Sequence, residues 1–211
     1  MKTKLLIIIV MGIAAITSCT KYPSDSGRLT EDLVIYTKYD VNVNFNDYKT
    51  FAIVPAVAYI DGKDSAVLTT PNALEVLAKI TKNMTDRGFS QVAPTDHPDL
   101  GINVTAIKST TATVYYPGWY WGYPGYWGSY WWGYPGYGYG YPYYPATITT
   151  YSTGTVIIDL VDFKFKTPDN KIMIRWNAYI RGLLTDTHSL SDVQKSIDQA
   201  FTQTPALKTT P

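Results

Sequence analysis

Apolar and polar positions along this 211-residue chain change their spacing several times, and each change predicts an element. An unbroken apolar run, Leu5 to Ala15, follows Lys2 and Lys4 at the start. Leu33–Val43 and Tyr48–Val54 read as two strand-like runs, with Tyr39, Val41 and Val43 on one parity and Asn44-Phe45-Asn46-Asp47 supplying turn chemistry between them. Residues 55–70 are less regular. Thr70-Pro71 predicts a helix start, a capping hydroxyl with proline at the first helical position; Leu74, Leu77, Ile80 and Met84 follow at helical spacing, and Gly88 marks the stop. Leu100, Ile102, Val104 and Ala106 alternate with small or polar residues, which predicts a half-buried strand continuing through Thr110–Val114, with its return partner in Thr147–Phe165.

Val156, Ile158 and Leu160 then face Ile172, Ile174, Trp176, Ala178 and Ile180 in a predicted hairpin. A three-residue loop at Pro168-Asp169-Asn170 sets Thr167 opposite Lys171 and puts both apolar rows on one face. Ser191, with Gln194 three residues on, predicts the cap of a second helix whose stripe is Val193, Ile197, Ala200 and Phe201. Strands, helix, strands, helix predicts an α+β domain: a twisted, mostly antiparallel sheet with two amphipathic helices on one face, the other face partly solvated. A long aromatic Gly/Pro-rich insertion interrupts it.

The chain contains one cysteine, Cys19, at the end of Ile16-Thr17-Ser18-Cys19. A basic start, a short apolar run and small residues before the cut describe a secretory signal, and the run falls short of the ~20 residues of a membrane span. An aliphatic residue, two small residues and cysteine resemble the bacterial lipobox, which implies a diacylglyceryl group on the Cys19 thiol and removal of residues 1–18. Two or three acyl chains anchor stably, at about 0.8 kcal/mol per buried methylene. Residues 19–32, polar and turn-rich, read as a lipidated tether, and residues 33–211 as a single domain. Thr20 rather than aspartate after the cysteine resembles the pattern that permits transport to the outer membrane, here facing the periplasm.

Cleavage takes away Lys2 and Lys4, leaving 16 basic against 17 acidic residues. No basic cluster remains to neutralise phosphates, which argues against nucleic-acid binding. Residues 115–145 hold 12 tyrosines, 5 tryptophans, 8 glycines, 5 prolines and one serine, with no charge and no aliphatic side chain. The plain account is a low-complexity loop collapsed through its own ring contacts. The functional account is an adhesive surface of flat apolar rings with polar edges, suited to glycan, peptidoglycan or an envelope protein; its candidates are Tyr116, Trp119, Trp121, Tyr123, Trp127, Trp131, Trp132, Tyr134 and Tyr137. A third account is contact with the membrane interface.

Catalytic signals are poor. The sequence has no Gly-x-Ser-x-Gly elbow, phosphate-cradling glycine loop or His-Glu-x-x-His helix, so neither a catalytic residue nor a cofactor is nominated. His97 and His188 each have acidic neighbours but read as exposed loop histidines, and no metal site is nominated. Asp159 and Asp162, three apart on a strand, point to opposite faces and cannot serve one substrate; Asp159 is expected outward, paired with Arg175. Asp64-Ser65-Ala66 matches a short acceptor pattern for O-glycosylation in some Gram-negative anaerobes.

Several segments together resemble domain-of-unknown-function family 4136, a group of bacterial envelope lipoproteins. They are Asn44-Phe45-Asn46-Asp47-Tyr48-Lys49-Thr50-Phe51-Ala52, Pro98-Asp99-Leu100, Thr153-Gly154-Thr155 running on through Val156–Asp162, the 171–182 strand, and the closing helix that ends in proline. Members often carry a Trp-Arg-Gly-like sequence on that second hairpin strand, where this chain has Trp176-Asn177-Ala178, and many carry a Tyr/Gly/Pro/Trp-rich insertion between the same two strands. The resemblance implies an α+β fold and an outer-membrane lipoprotein, and no activity. The expected role is non-enzymatic: binding or scaffolding of envelope components through the insertion. The alternative is an accessory factor that docks on an envelope membrane protein through its sheet, and an unrecognised hydrolase stands behind both.

Overall fold

The computed structural model describes residues 33–61, 64–109, 140–143, 154–165, 171–183 and 189–210. The chain divides at Asp32/Leu33 into two compact units, and the described residues all belong to Leu33–Pro211. In chain order they form β1 (Val34–Tyr39), β2 (Thr50–Ile53), β3 (Val57–Asp61), β4 (Asp64–Leu68), α1 (Pro71–Thr85), β5 (Ser90–Gln91), β6 (Leu100–Ser109), β7 (Gly140–Tyr143), β8 (Thr155–Asp162), β9 (Lys171–Arg181) and α2 (Leu190–Thr202). The strands make one open, mixed sheet in the order β1-β9-β8-β6-β2-β5, with β3 also on β6, β4 outside β3, and β7 beside β9. The longest ladders, β6–β8, β8–β9 and β1–β9, are antiparallel; β2 and β3 follow one another along the edge of β6, both parallel to it. The fold is α+β.

Thr70 accepts a hydrogen bond from the Ala73 amide and Pro71 opens α1, as the sequence predicts. Ala73, Leu77, Ile80 and Met84 form its buried stripe, while Leu74, expected inside, is 48% exposed. The 73, 77, 80, 84 spacing keeps to one helix face, and Leu74 lies one position round from it. Ser189, not Ser191, caps α2 through a reciprocal pair with Asp192, which adds half a turn to the predicted helix. Ile197, Ala200 and Phe201 join the α1 stripe in a single core cluster over Leu100, Ile102 and Val104 of β6, Ile158 and Leu160 of β8, and Trp176 and Ala178 of β9. Both helices therefore cover one face. Each large side chain in that cluster contributes about 1.5–3 kcal/mol by leaving water, and the Trp176 indole N–H is satisfied by Thr204 Oγ1 at 2.9 Å.

Residues 55–70 hold a hairpin rather than an irregular stretch: β3 and β4 pair antiparallel from Val57↔Leu68 to Asp61↔Asp64. The Asp61-Gly62 dipeptide between two apolar runs is the overlooked signal. The β8–β9 register also differs from the predicted one. Leu160 stands opposite Trp176, two residues from the predicted pairing, so the apolar rows still share a face. Beyond Leu160 a one-residue bulge shifts the ladder to Val161↔Ile174, and Ile174 leaves the row it was expected to join. The second face of the sheet is not solvated at its centre. Every residue of β8 is buried, and Ile60, Ile107 and Ile157 form a further buried cluster with Tyr179 packed against it. A near-continuous Val-Ile-Ile-Asp-Leu-Val run is the pattern of a strand covered on both faces, and alternation was the wrong template for it.

Candidate functional site

The residues nominated from sequence, Cys19 and the nine aromatic side chains from Tyr116 to Tyr137, lie outside the described residues, as does His188. Their attachment points are described. β6 and β8 pair without interruption from Leu100↔Asp162 to Ile107↔Thr155, and the Gly154 amide then donates to the Lys108 carbonyl at 3.0 Å. Gly154 sits at φ +78°, a left-handed conformation that glycine adopts at no steric cost, and it turns the returning chain onto the ladder. The insertion is thus spliced between two neighbouring central strands that are already closed at its base. Gly140–Tyr143 runs parallel to Lys171–Met173 and prolongs the β9 edge beyond Tyr39↔Trp176, where the β1 ladder ends. Proline at 142 suits an edge strand, which needs no amide donor on its open side. Val34 pairs with Arg181 at the Thr155 end of the sheet, so the chain enters the domain at the same end as the base of the insertion.

A buried polar cluster occupies the opposite end. Residues 40–49 carry the chain from β1 past the ends of β9, β8 and β6 to reach β2, and each crossing is fastened by a hydrogen bond or ion pair. Arg175, the residue displaced by the bulge, directs Nε and Nη2 to Asp162 Oδ2 at 2.7 Å each and Nη1 to Asp40 Oδ2 at 2.8 Å. The Tyr48 hydroxyl donates to the same Asp162 oxygen at 2.7 Å. Asp162 Oδ1 accepts from the Lys164 and Phe165 amides at 2.9 and 2.8 Å. Asp99 Oδ2 takes the Lys49 and Thr50 amides at 2.6 and 3.2 Å, and Lys164 Nζ lies 3.4 Å from Asp99 Oδ1. Burial, reinforced by the Asp162 carboxylate, pushes the Tyr48 hydroxyl well above the usual tyrosine range, so it stays a donor. Burial pulls the Arg175 guanidinium down, but Asp162 outweighs it and the net shift is upward. Neither of these two groups exchanges a proton near neutrality, and their bonds fasten the linker to the sheet.

Asp159, expected outward beside Arg175, is 1% exposed. It stands directly between Asn103 and Asn177 in a buried polar row across β6, β8 and β9. The bulge sends Arg175 to Asp162 instead. Nearby on this face, Asn177 Nδ2 donates to the Tyr179 hydroxyl at 2.9 Å, while Asn177 Oδ1 and Thr105 Oγ1 are buried without a hydrogen-bond partner among the described residues. Asp159 and Asp162 do face opposite sides of β8, and they form no acid/base pair.

Among the described residues no group of three or more His, Cys, Asp or Glu is placed to hold a metal ion, and no helix is long and apolar enough to cross a membrane. His97 is exposed, at φ 54° behind a short 3-10 turn. An open groove of about 570 Å³ beside β2 and β5 is lined by Ile53, Pro55, Pro94 and Asp96 among others. Its one lining carboxylate, Asp96, caps that turn by accepting from the Ala93 amide at 3.3 Å and also accepts from the Thr95 hydroxyl at 3.4 Å.

The segments that meet in the buried cluster are those on which the family resemblance rests: Asn44–Ala52 supplies Tyr48, Lys49 and Thr50, Pro98–Leu100 supplies Asp99, and β8 supplies Asp162. A family model for a domain of unknown function, DUF4136, matches residues 35–206. The chain belongs to the DUF4136 family. A crystal structure of a DUF4136 family protein from Bacteroides thetaiotaomicron is 34% identical to it, with a TM-score of 0.67 over 83% of this chain and 97% of that one. Two crystal structures of a PelC dodecamer from Paraburkholderia phytofirmans align at 9% and 10% identity with TM-scores of 0.39 and 0.42, over 85% of this chain and 100% of theirs. That likeness is too slight to carry an argument. No curated protein matches the chain.

Proposed function

We propose that this DUF4136 protein is a lipoprotein anchored through Cys19 in the outer membrane, facing the periplasm, and that it binds or scaffolds envelope components through residues 115–145 without catalysis. The observation that carries the reading is the intact β6–β8 ladder beneath the insertion, closed by Gly154 and Lys108. A domain whose central strands pair fully without the tract does not need it to complete that ladder, which leaves the five tryptophans and the tyrosines outside β7 available for recognition. The basic start, apolar run and Ile16-Thr17-Ser18-Cys19 supply the anchor.

Deleting residues 115–139, which spares β7 on the β9 edge, tests the recognition half. Retention of the lipidated protein on purified peptidoglycan sacculi is expected to vanish while its circular dichroism is kept; unchanged retention overturns the reading. Retention on an envelope membrane protein that survives the deletion supports the second reading, docking through the sheet. That reading draws on β1, where Val34 is 47% and Tyr36 57% exposed beside the Tyr179 ring.

A further inference from the structure

We infer that Ser65 is an O-glycosylation acceptor, presented on β4, the outermost described strand on its side of the sheet, near the tip of the β3–β4 hairpin; the inference rests on the reading that the chain is exported. Three Asp-Ser or Asp-Thr pairs occur in the sequence, at Asp25-Ser26, Asp64-Ser65 and Asp186-Thr187. They are followed by Gly27, Ala66 and His188, and only the second sets a small apolar residue after the hydroxyl, as the acceptor pattern asks. A three-residue pattern gains weight from its structural context, since a transferase needs an accessible segment.

The structure supplies that context. Among the described residues β4 pairs with β3 alone and is the outermost strand on that side. Ser65 stands opposite Ile60, one step from the Asp61↔Asp64 rung that ends the hairpin. An extended segment at a sheet margin is what an enzyme takes up by adding it as a strand to its own cleft, reading alternate side chains.

The other edges of the sheet are managed differently. β1 is covered by α2, where Gln203 Nε2 donates to the Ile35 carbonyl at 3.2 Å and Thr37 Oγ1 bonds the Gln203 amide oxygen. β5 is two residues long, too short to template pairing. β4 runs for five residues, leaves Ala66 and Val67 exposed, the latter at 44%, and carries no lysine or proline. Such an edge invites pairing with another chain. A glycan at Ser65 would block it with a bulky hydrated group.

The transfer balances without redox chemistry. Ser65 Oγ bonds to the anomeric carbon of a sugar carried as a polyprenyl pyrophosphate, and the bond from that carbon to the pyrophosphate oxygen breaks. The polyprenyl pyrophosphate leaves with the electron pair, and the hydroxyl proton passes to a base of the transferase.

The full-length protein, purified from the envelope of its own cell, is digested and its peptides weighed. The peptide holding Ser65 is expected to carry an integral number of sugar residues, released by mild base, and both Ser65→Ala and Asp64→Asn are expected to lose that mass with unchanged circular dichroism. An unmodified Ser65 peptide, or a glycan that persists in Ser65→Ala, overturns the inference. The N-terminal peptide from the same digest separates the two readings: Cys19 lipidated with Ser65 bare refutes glycosylation alone, whereas an unprocessed leader refutes export.

Discussion

Replacing Arg175 by methionine should be among the most damaging single changes outside the apolar core. The guanidinium lies between Asp162, whose side chain is fully buried, and Asp40, which is 26% exposed. Truncation leaves the Asp162 carboxylate its three hydrogen bonds from Tyr48 and the Lys164 and Phe165 amides but no counter-charge. Breaking a buried ion pair by removing one partner costs about 3–5 kcal/mol, whereas the outer Asp40 contact adds less than about 1 kcal/mol. Tyr48→Phe removes one hydrogen bond to a charged group and should cost about 1.5–3 kcal/mol. Arg175→Lys should fall between them, because a point charge cannot fork to both carboxylates. Against a typical total of about 5–15 kcal/mol, the methionine variant loses a large share of the stability. Urea unfolding of the mature chain with Cys19→Ser, followed by circular dichroism, gives the three values, and hydrogen exchange over residues 40–49 reports release of the linker. A cost for Arg175→Met under about 1 kcal/mol, or smaller than that of Tyr48→Phe, refutes the view that the cluster holds a buried charge.

Gly88→Ala should lower the melting temperature through a cost of at least about 1–2 kcal/mol, the left-handed penalty for an L-residue. Gly88 has φ +91°, and an added Cβ would clash with the Thr209 carbonyl oxygen, so faster hydrogen exchange at residues 207–210 should accompany the loss. Asp198 gives a pH prediction. Burial works against its carboxylate, but Lys79 at 2.6 Å and the Asn83 amide outweigh it and hold it below the ordinary value of 3.8. A folded-state value below the unfolded one means stability fully present above that value and lost as pH falls through the folded one. Wild type should therefore exceed Asp198→Asn slightly at neutral pH, the gap small because the side chain is 48% exposed, and the two should converge below pH 3.8; a gap that widens on acidification would contradict the assignment.

The elements most legible in the sequence were those whose signals are local. Thr70-Pro71 marks the α1 cap, and the even-numbered rows of β6 and β8 mark the core face, because capping and alternation are properties of adjacent residues. The second helix was legible but its cap was not, since Ser189 and Ser191 each begin a similar pattern and only tertiary packing chooses between them. β2 and β3 follow each other along β6, although nothing between residues 50 and 61 names that partner; a parallel partner is set by packing far along the chain. The buried cluster was the least legible part. Asp40 and Arg175 are 135 residues apart, and Arg175 reaches Asp162 only because a bulge turns it there. The family-like segments did mark Tyr48, Asp99 and Asp162, without indicating that they meet.

The two ends of the sheet are under different constraints. β6 is ten residues long, about 30 Å from the Asp99 end to the base of the insertion. Changes more than about 7–10 Å apart with no shared partner act independently on stability. The fastened linker can therefore be weakened without disturbing the ladder at the base of the insertion, provided the domain stays folded. At the other end, Lys108 and Gly154 are already hydrogen-bonded, so the chain between them begins and ends at one rung of a closed ladder. Lengthening such a loop is inexpensive, with each doubling costing only about 0.6 kcal/mol in closure entropy. The fold thus fixes where the insertion starts and stops but exerts little pressure on most of its content. On the proposed reading, composition as extreme as that of residues 115–139 answers to what the tract contacts, and a deletion that stops short of β7 reads that contact without removing a strand from the sheet.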